Sequence, residues 1–184
     1  MKGVVFTLLQ KVVSDEHGED VWDDLIEAAG VDGAYTAVGT YDHAELHALV
    51  DVAANALDST SDEVLVWFGR SALPLLAQRY PQVFEGHTSA RQFVLTLNDV
   101  IHPEVRKLFP GAYAPSFEFD PSSPDRVSLT YLSNRDLCRF AEGLVLGAAD
   151  HFGETGEVVH ARCARDGDES CTLMCAFLAG RGRD

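Results

Sequence analysis

Along roughly the first 110 residues, apolar side chains recur every three or four positions. In "EDVWDDLIEAAG", Val21, Trp22, Leu25, Ile26 and Ala29 fall on one stripe of a helix that stops at Gly30. Three further helices are announced by a side-chain oxygen followed three residues later by Glu or Gln, the spacing of a capping box. The pairs are Asp42 and Glu45 before "LHALVDVAANAL", Thr60 and Glu63 before "VLVWFGRSALPLLA", and Ser89 and Gln92 before "FVLTLNDVIHPEVRKLF". From Pro115 the period falls toward two. "SFEFD", "RVSLTYLS", "EVVHARC" and "CTLMCAFL" alternate as half-buried strands do, with turn signals at "PSSPD" and "RDGDES". One helix, from Arg135 to about Phe152, interrupts them. The expectation is an α+β fold in a single domain over 1–184. A helical N-terminal lobe covers about 1–110, and a lobe of antiparallel sheet with a long helix covers about 111–184, joined near "FPGAYAP".

Composition narrows the class of function. The 184 residues are 46% hydrophobic and 23% charged, enough for one well-buried domain. The longest apolar stretch, "AEGLVLGAA", carries a glutamate and is too short to span a bilayer. The start, "MKGVVFTLLQKVV", has no small-residue cleavage site and acidic residues follow it, so it reads as a structured element rather than a leader. No membrane association and a cytoplasmic location are expected. A formal charge of −15 repels phosphate backbones, which makes nucleic acid a poor partner. The one basic cluster, "GRGRD", is a short tail expected to be solvated. The chain ends within a few residues of its last strand, so no output domain is expected.

Two groups of residues could carry chemistry. His102, in "NDVIHPEV", has Phe93, Leu97, Val100, Ile101, Val105 and Leu108 as helical neighbours, which places its imidazole at the border of the core. A buried neutral imidazole ligates iron, copper or zinc well, although a histidine in such a setting is more often a plain core or surface residue. Pro103 removes a backbone donor beside it. Further on, Tyr131, Ser133 and Arg135 share one face if the strand runs through all three. A phenol, a hydroxyl and a guanidinium then converge with no carboxylate among them. The row suits an anion that accepts several hydrogen bonds, notably a pair of carboxylates with the arginine as the fork. A solvated strand face leading into a helix-initiating turn at Ser133–Arg135 fits the same letters.

The chain resembles the H-NOX family of haem-nitric oxide/oxygen binding domains, to which the sensor domain of soluble guanylate cyclase belongs. The resemblance runs from "MKGVVFTLL" through "YDHAELHALV", "IHPEVRKLFPGAYAPSF" and "YLSNRDLCRFAEGLVLGAADHF". It implies haem b held between the two lobes, with His102 as axial ligand and Tyr131, Ser133 and Arg135 on the propionates. Pro115 would press on the macrocycle and distort it. Oxygen-binding members carry a tyrosine donor where this chain has Phe140. The other expected pocket residues, Val5, Leu9 and Pro74, carry no donor either. The expected ligands are therefore NO and CO, with O2 excluded. NO would break the iron–His102 bond and shift one lobe against the other, signalling to a separate histidine kinase or diguanylate cyclase.

All four cysteines lie in the last third, at 138, 163, 171 and 175, and with no export signal they read as reduced thiols. Some bacterial H-NOX proteins carry a zinc site near the C-terminus. By that resemblance Cys138, His160, Cys163 and Cys171 form a closed structural Cys3His shell, with Cys175 as the alternative fourth ligand. His160 and Cys163 are three apart, so a regular strand would point them to opposite faces and a bulge or turn is required. Buried, redox-sensitive thiols are the competing account. Trp22 and Trp67 are expected in the core, His151 in packing, and His43, His47 and His87 at the surface or in caps. Two other functions stay open: a haem- or zinc-dependent enzyme, disfavoured because no distal acid/base pair and no His-Glu-x-x-His helix appears, and a zinc- or thiol-based redox-responsive interaction module.

Overall fold

The computed structural model of the chain describes residues 1–121, 123 and 126–179. Seven α-helices and four strands appear among them: α1 (Gly3–His17), α2 (Glu19–Ala29), α3 (His43–Ala56), α4 (Ser61–Arg79), α5 (Ala90–Leu95), α6 (His102–Leu108), β1 (Ser116–Asp120), β2 (Arg126–Leu132), α7 (Cys138–His151), β3 (Glu154–Arg162) and β4 (Cys171–Ala179). The fold is α+β, as the change of period predicts. No described helix is long and apolar enough to cross a membrane. The "GRGRD" tail lies outside the described residues, as does most of the "PSSPD" turn.

The helix ends follow local chemistry, with differences. Gly30 closes α2 in the left-handed region at φ 65°, which only glycine adopts freely. Thr60 and Glu63 make a complete capping box at α4. Asp42 caps α3, but Glu45 turns away to accept a hydrogen bond from the Tyr35 hydroxyl at 2.8 Å, so that box is half formed. Ser89 caps α5, while Gln92 reaches back one residue further than expected, to the Thr88 N–H. The segment expected to be one long helix before Phe109 is broken into α5, a π-helical turn at Leu97–Ile101, and α6.

The antiparallel sheet has the order β1-β2-β4-β3. Val127, Leu129 and Tyr131 of β2, with Cys171, Leu173 and Cys175 of β4, form its buried face. Helix α7 lies on β3 and β4 and also crosses α4 at very close range. Gly143 and Gly69 permit that approach: a Cβ on Gly143 would lie 2.2 Å from the Val66 carbonyl oxygen, and one on Gly69 2.4 Å from that of Phe140. The α4–α7 pair is the joint between the helices and the sheet.

Candidate functional site

Helices α1, α4 and α7, the α5–α6 segment and the first two strands enclose one cavity of about 270 Å³, near the lower end of small-molecule sites (~300–1,000 Å³). His102, Pro115, Tyr131, Ser133, Arg135, Phe140 and Val5 all line it. Residues distant in sequence and singled out on different grounds thus meet around one space.

The route to His102 is unusual. The Ile101 N–H bonds to the Thr96 carbonyl at 3.1 Å, five residues back. The His102 N–H reaches Leu97 in the same way. Pro103 offers no N–H, and in a tight α-turn its ring would collide with the carbonyl four residues earlier, so the wider turn accommodates it. Two side chains hold the turn in place. His87, expected at the surface or in a cap, is half-buried, and its Nε2 lies 2.8 Å from Thr96 Oγ1. The Asn98 amide grips β1 twice, donating to the Phe117 carbonyl at 2.6 Å and accepting from its N–H at 3.1 Å. The Phe117 ring in turn lies against His102, centroids 5.7 Å apart.

Burial, reinforced by the Arg106 guanidinium, lowers the His102 imidazole to about 4, against a small opposing pull from the Pro115 carbonyl. The ring is therefore neutral at ordinary pH. That carbonyl is not placed to form a hydrogen bond of good geometry, and Nδ1 is buried without a partner. A neutral imidazole facing an apolar cavity is a ready metal ligand.

Tyr131, Ser133 and Arg135 do converge, but not as a strand row. β2 ends at Leu132, and Ser133–Leu137 turns sharply, with Asp136 at φ 52°. α7 begins at Cys138, three residues later than expected, because this turn occupies the intervening chain. Ser133 Oγ accepts from the Arg135 N–H at 3.3 Å, so the turn itself brings the two side chains together. The Arg135 guanidinium donates to the Tyr113 carbonyl at 3.2 Å and stacks over that ring at 4.5 Å. Most of its five N–H donors remain for a ligand. His47 holds the Arg135 carbonyl at 3.0 Å. Neither Tyr113 nor His47 is recognisable from sequence pattern as part of the site. Burial raises the Tyr131 phenol, outweighing Ser133 and the Leu137 backbone, so it stays a donor.

The side chains that α1, α4 and α7 turn to the cavity are hydrocarbon, among them Val5, Leu8, Leu73, Phe140 and Leu144, while Lys2 just before α1 and Tyr80 just after α4 also reach its lining. Phe68 stacks on Phe140 with centroids 4.7 Å apart and fixes its ring. Leu9 and Pro74, expected here, do not line the cavity. One residue is about 100° of helix, which turns Leu9 into the helical core beside Leu8 and leaves Pro74 exposed beside Leu73. Trp67 is also off the cavity and donates to Glu16 at 3.0 Å.

These residues fit a haem. Hydrocarbon walls suit the macrocycle, His102 offers an unpartnered imidazole, and a phenol, a hydroxyl and a guanidinium stand together where a dianionic edge needs donors.

A second cluster lies on the other side of Tyr131. The Sγ atoms of Cys138, Cys163 and Cys171 lie within 4.8 Å of one another, with Cys163 4.0 Å from Cys138 and 3.8 Å from Cys171. Tetrahedral zinc with bonds of about 2.3 Å spaces its sulfurs about 3.8 Å apart, so three corners of such a shell are present. All four thiols are free. Burial raises Cys138 and Cys171, so without a cation they stay protonated, and a bound metal ion is what would ionise them. Cys175 is buried further along β4 and outside the group, pushed up to about 12 by burial and by Glu142. His160 is outside it too, with Nε2 2.9 Å from Glu142 Oε2. The bulge that the His160–Cys163 spacing requires is present: the β3–β4 register slips between His160 and Arg162.

A family model described as haem-NO-binding matches residues 2–160. The chain is also similar to an H-NOX protein from S. oneidensis in the Fe(II)NO state. It is 32% identical to that protein with a TM-score of 0.90, over 96% of this chain and 99% of that one. An IWP-051-bound H-NOX from Shewanella woodyi in the Fe(II)CO state is 31% identical, with a TM-score of 0.80 over 100% and 97%. An unliganded Fe(II) H-NOX mutant from K. algicida is 25% identical, with a TM-score of 0.86 over 96% of each chain.

Proposed function

Because the chain belongs to the haem-NO-binding (H-NOX) family, whose domains sense gases rather than catalyse reactions, we propose that it is a nitric oxide sensor that also takes CO and excludes O2. Bound haem supplies the iron centre at which gases bind. His102 gives that iron one imidazole nitrogen, Tyr131, Ser133 and Arg135 hold the propionates, and Pro115 bears on the macrocycle. The observation that carries the selectivity is the wall of Val5, Leu8, Leu73, Phe140 and Leu144, which offers no hydrogen-bond donor. O2 needs a donor beside it to be held stably, whereas NO and CO do not.

His102 is suited to release. Its Nδ1 makes no hydrogen bond of good geometry, and its helix is short and enters through a widened turn. Movement of α6 would reach β1 through Asn98 and Phe117, so one event at His102 reaches both lobes. The signal passes to a separate effector in the cytoplasm, a histidine kinase or diguanylate cyclase by analogy with the family. Zinc held by Cys138, Cys163, Cys171 and His160 would pin the start of α7 to β4 as a structural element, with no open position for chemistry.

Absorption spectra of the reduced protein under argon, NO and air test the sensor reading. A five-coordinate nitrosyl with no persistent oxy complex is expected. A stable oxy spectrum would sink the selectivity, and failure to take up haem would sink the sensor.

A further inference from the structure

The proposed zinc centre needs His160 as its fourth ligand, yet that residue lies outside the group of three cysteines, and the step taken here rests on the zinc reading. His160 is 7% exposed, yet neither of its nitrogens makes a hydrogen bond of good geometry. A buried imidazole without partners is costly and calls for an explanation. Its neighbour is Glu142, whose Oε2 is 2.9 Å from Nε2. Glu142 is itself fixed: Arg139 donates to the same oxygen at 2.9 Å, and Asp62 of α4 holds Arg139 Nε at 3.0 Å. Asp62 also pairs with Arg165, in the turn directly after Cys163. The chain of contacts thus starts and ends at the cysteine cluster.

Cys138 and Glu142 are four apart on α7, so they share a face about one turn apart, about 6 Å along the axis. An imidazole held at 2.9 Å by a carboxylate on one nitrogen has its other nitrogen, which would bond zinc at about 2.1 Å, directed away from that carboxylate. The slip in register after His160 breaks the alternation that would set His160 and Cys163 on opposite faces. We infer that Glu142 is the outer-sphere partner of His160: its carboxylate accepts a hydrogen bond from the Nε2–H and so presents Nδ1 as the fourth ligand to zinc on Cys138, Cys163 and Cys171. Glu142 is a positioning residue and does not touch the metal.

The test uses the full chain stripped of metal and titrated with Zn(II) against a chromophoric chelator, with Co(II) absorption reporting the ligand set. The proteins are wild type, Cys163→Ser, His160→Ala, Glu142→Gln, Glu142→Asp and the double variant His160→Ala/Glu142→Gln. Wild type is expected to bind one zinc and to give a tetrahedral three-sulfur, one-nitrogen cobalt spectrum. Glu142→Gln keeps that spectrum and binds roughly 10–100-fold more weakly. Glu142→Asp, shorter by one methylene, is weaker as well, and the double variant is no weaker than His160→Ala alone. Unchanged or tighter binding by Glu142→Gln overturns the assignment. So does a further loss in the double variant, or a cobalt spectrum that shows an oxygen ligand lost with Glu142. If wild type binds zinc no better than Cys163→Ser, the metal reading itself falls, independently of position 142.

Discussion

Where α4 crosses α7, backbone touches backbone, and glycines at 69 and 143 leave no room for a methyl group. In the segment that carries His102, two short helices meet through a π turn at a proline, held by side-chain hydrogen bonds from His87 and Asn98 together with the burial of Phe93 and Ile101. Both regions face one cavity. The first cannot yield without losing its packing, since close-packed interiors are bistable rather than elastic. The second can change register by exchanging a few hydrogen bonds. The wall proposed to set gas selectivity is thus on the close-packed element, and the residue proposed to move is on the more loosely built one.

The comparison can be broken most severely at the crossing. Gly143→Ala puts a carbon 2.2 Å from the Val66 carbonyl, and a loss of about 3 kcal/mol is expected in denaturant titration. A smaller loss, under about 1 kcal/mol, would mean that the crossing is as compliant as the His102 side. On that side, Asn98→Ala strips both backbone groups of buried Phe117 of their partner. A loss of about 2 kcal/mol is expected, with faster hydrogen exchange at the Phe117 amide. Phe140→Tyr sharpens the contrast by changing the chemistry of the stiff wall and little of its shape. A donor there is expected to stabilise the oxy complex by about 1.4 kcal/mol, a tenfold slower O2 dissociation in stopped-flow absorption. Pro103→Ala has the smallest effect. It restores an N–H and lets the π turn relax toward an α-helix, with a gain below about 1 kcal/mol in the same titration and slower exchange across Leu97–Ile101.

The sequence was most legible where a local rule decides the outcome. The fall in period at Pro115 locates the sheet, Gly30 ends α2, and Thr60 with Glu63 starts α4, because each is settled within a few residues. It was least legible where distant parts meet. Alternation through Tyr131, Ser133 and Arg135 looked like strand, yet the chain turns after Leu132, and a turn brings Ser133 and Arg135 together just as a strand face would. Leu9 and Pro74 were each one residue from a position that does line the cavity, an error of about 100° that only the packed neighbours resolve. The π turn leaves only Pro103 as a trace. The slip after His160 was legible by contrast, because ligand spacing and strand period could not both hold.

The double grip of Asn98 on Phe117 has a consequence for how the molecules behave in company. β1 is an edge strand, and an edge offers unpaired N–H and C=O groups to any extended chain that drifts alongside. At Phe117 both outward groups are already taken by a side-chain amide that imitates the peptide of a missing neighbour. A strand from another copy would have to displace it before it could pair. One asparagine thereby makes the β1 edge, though not the β3 edge, a poorer template for a further strand.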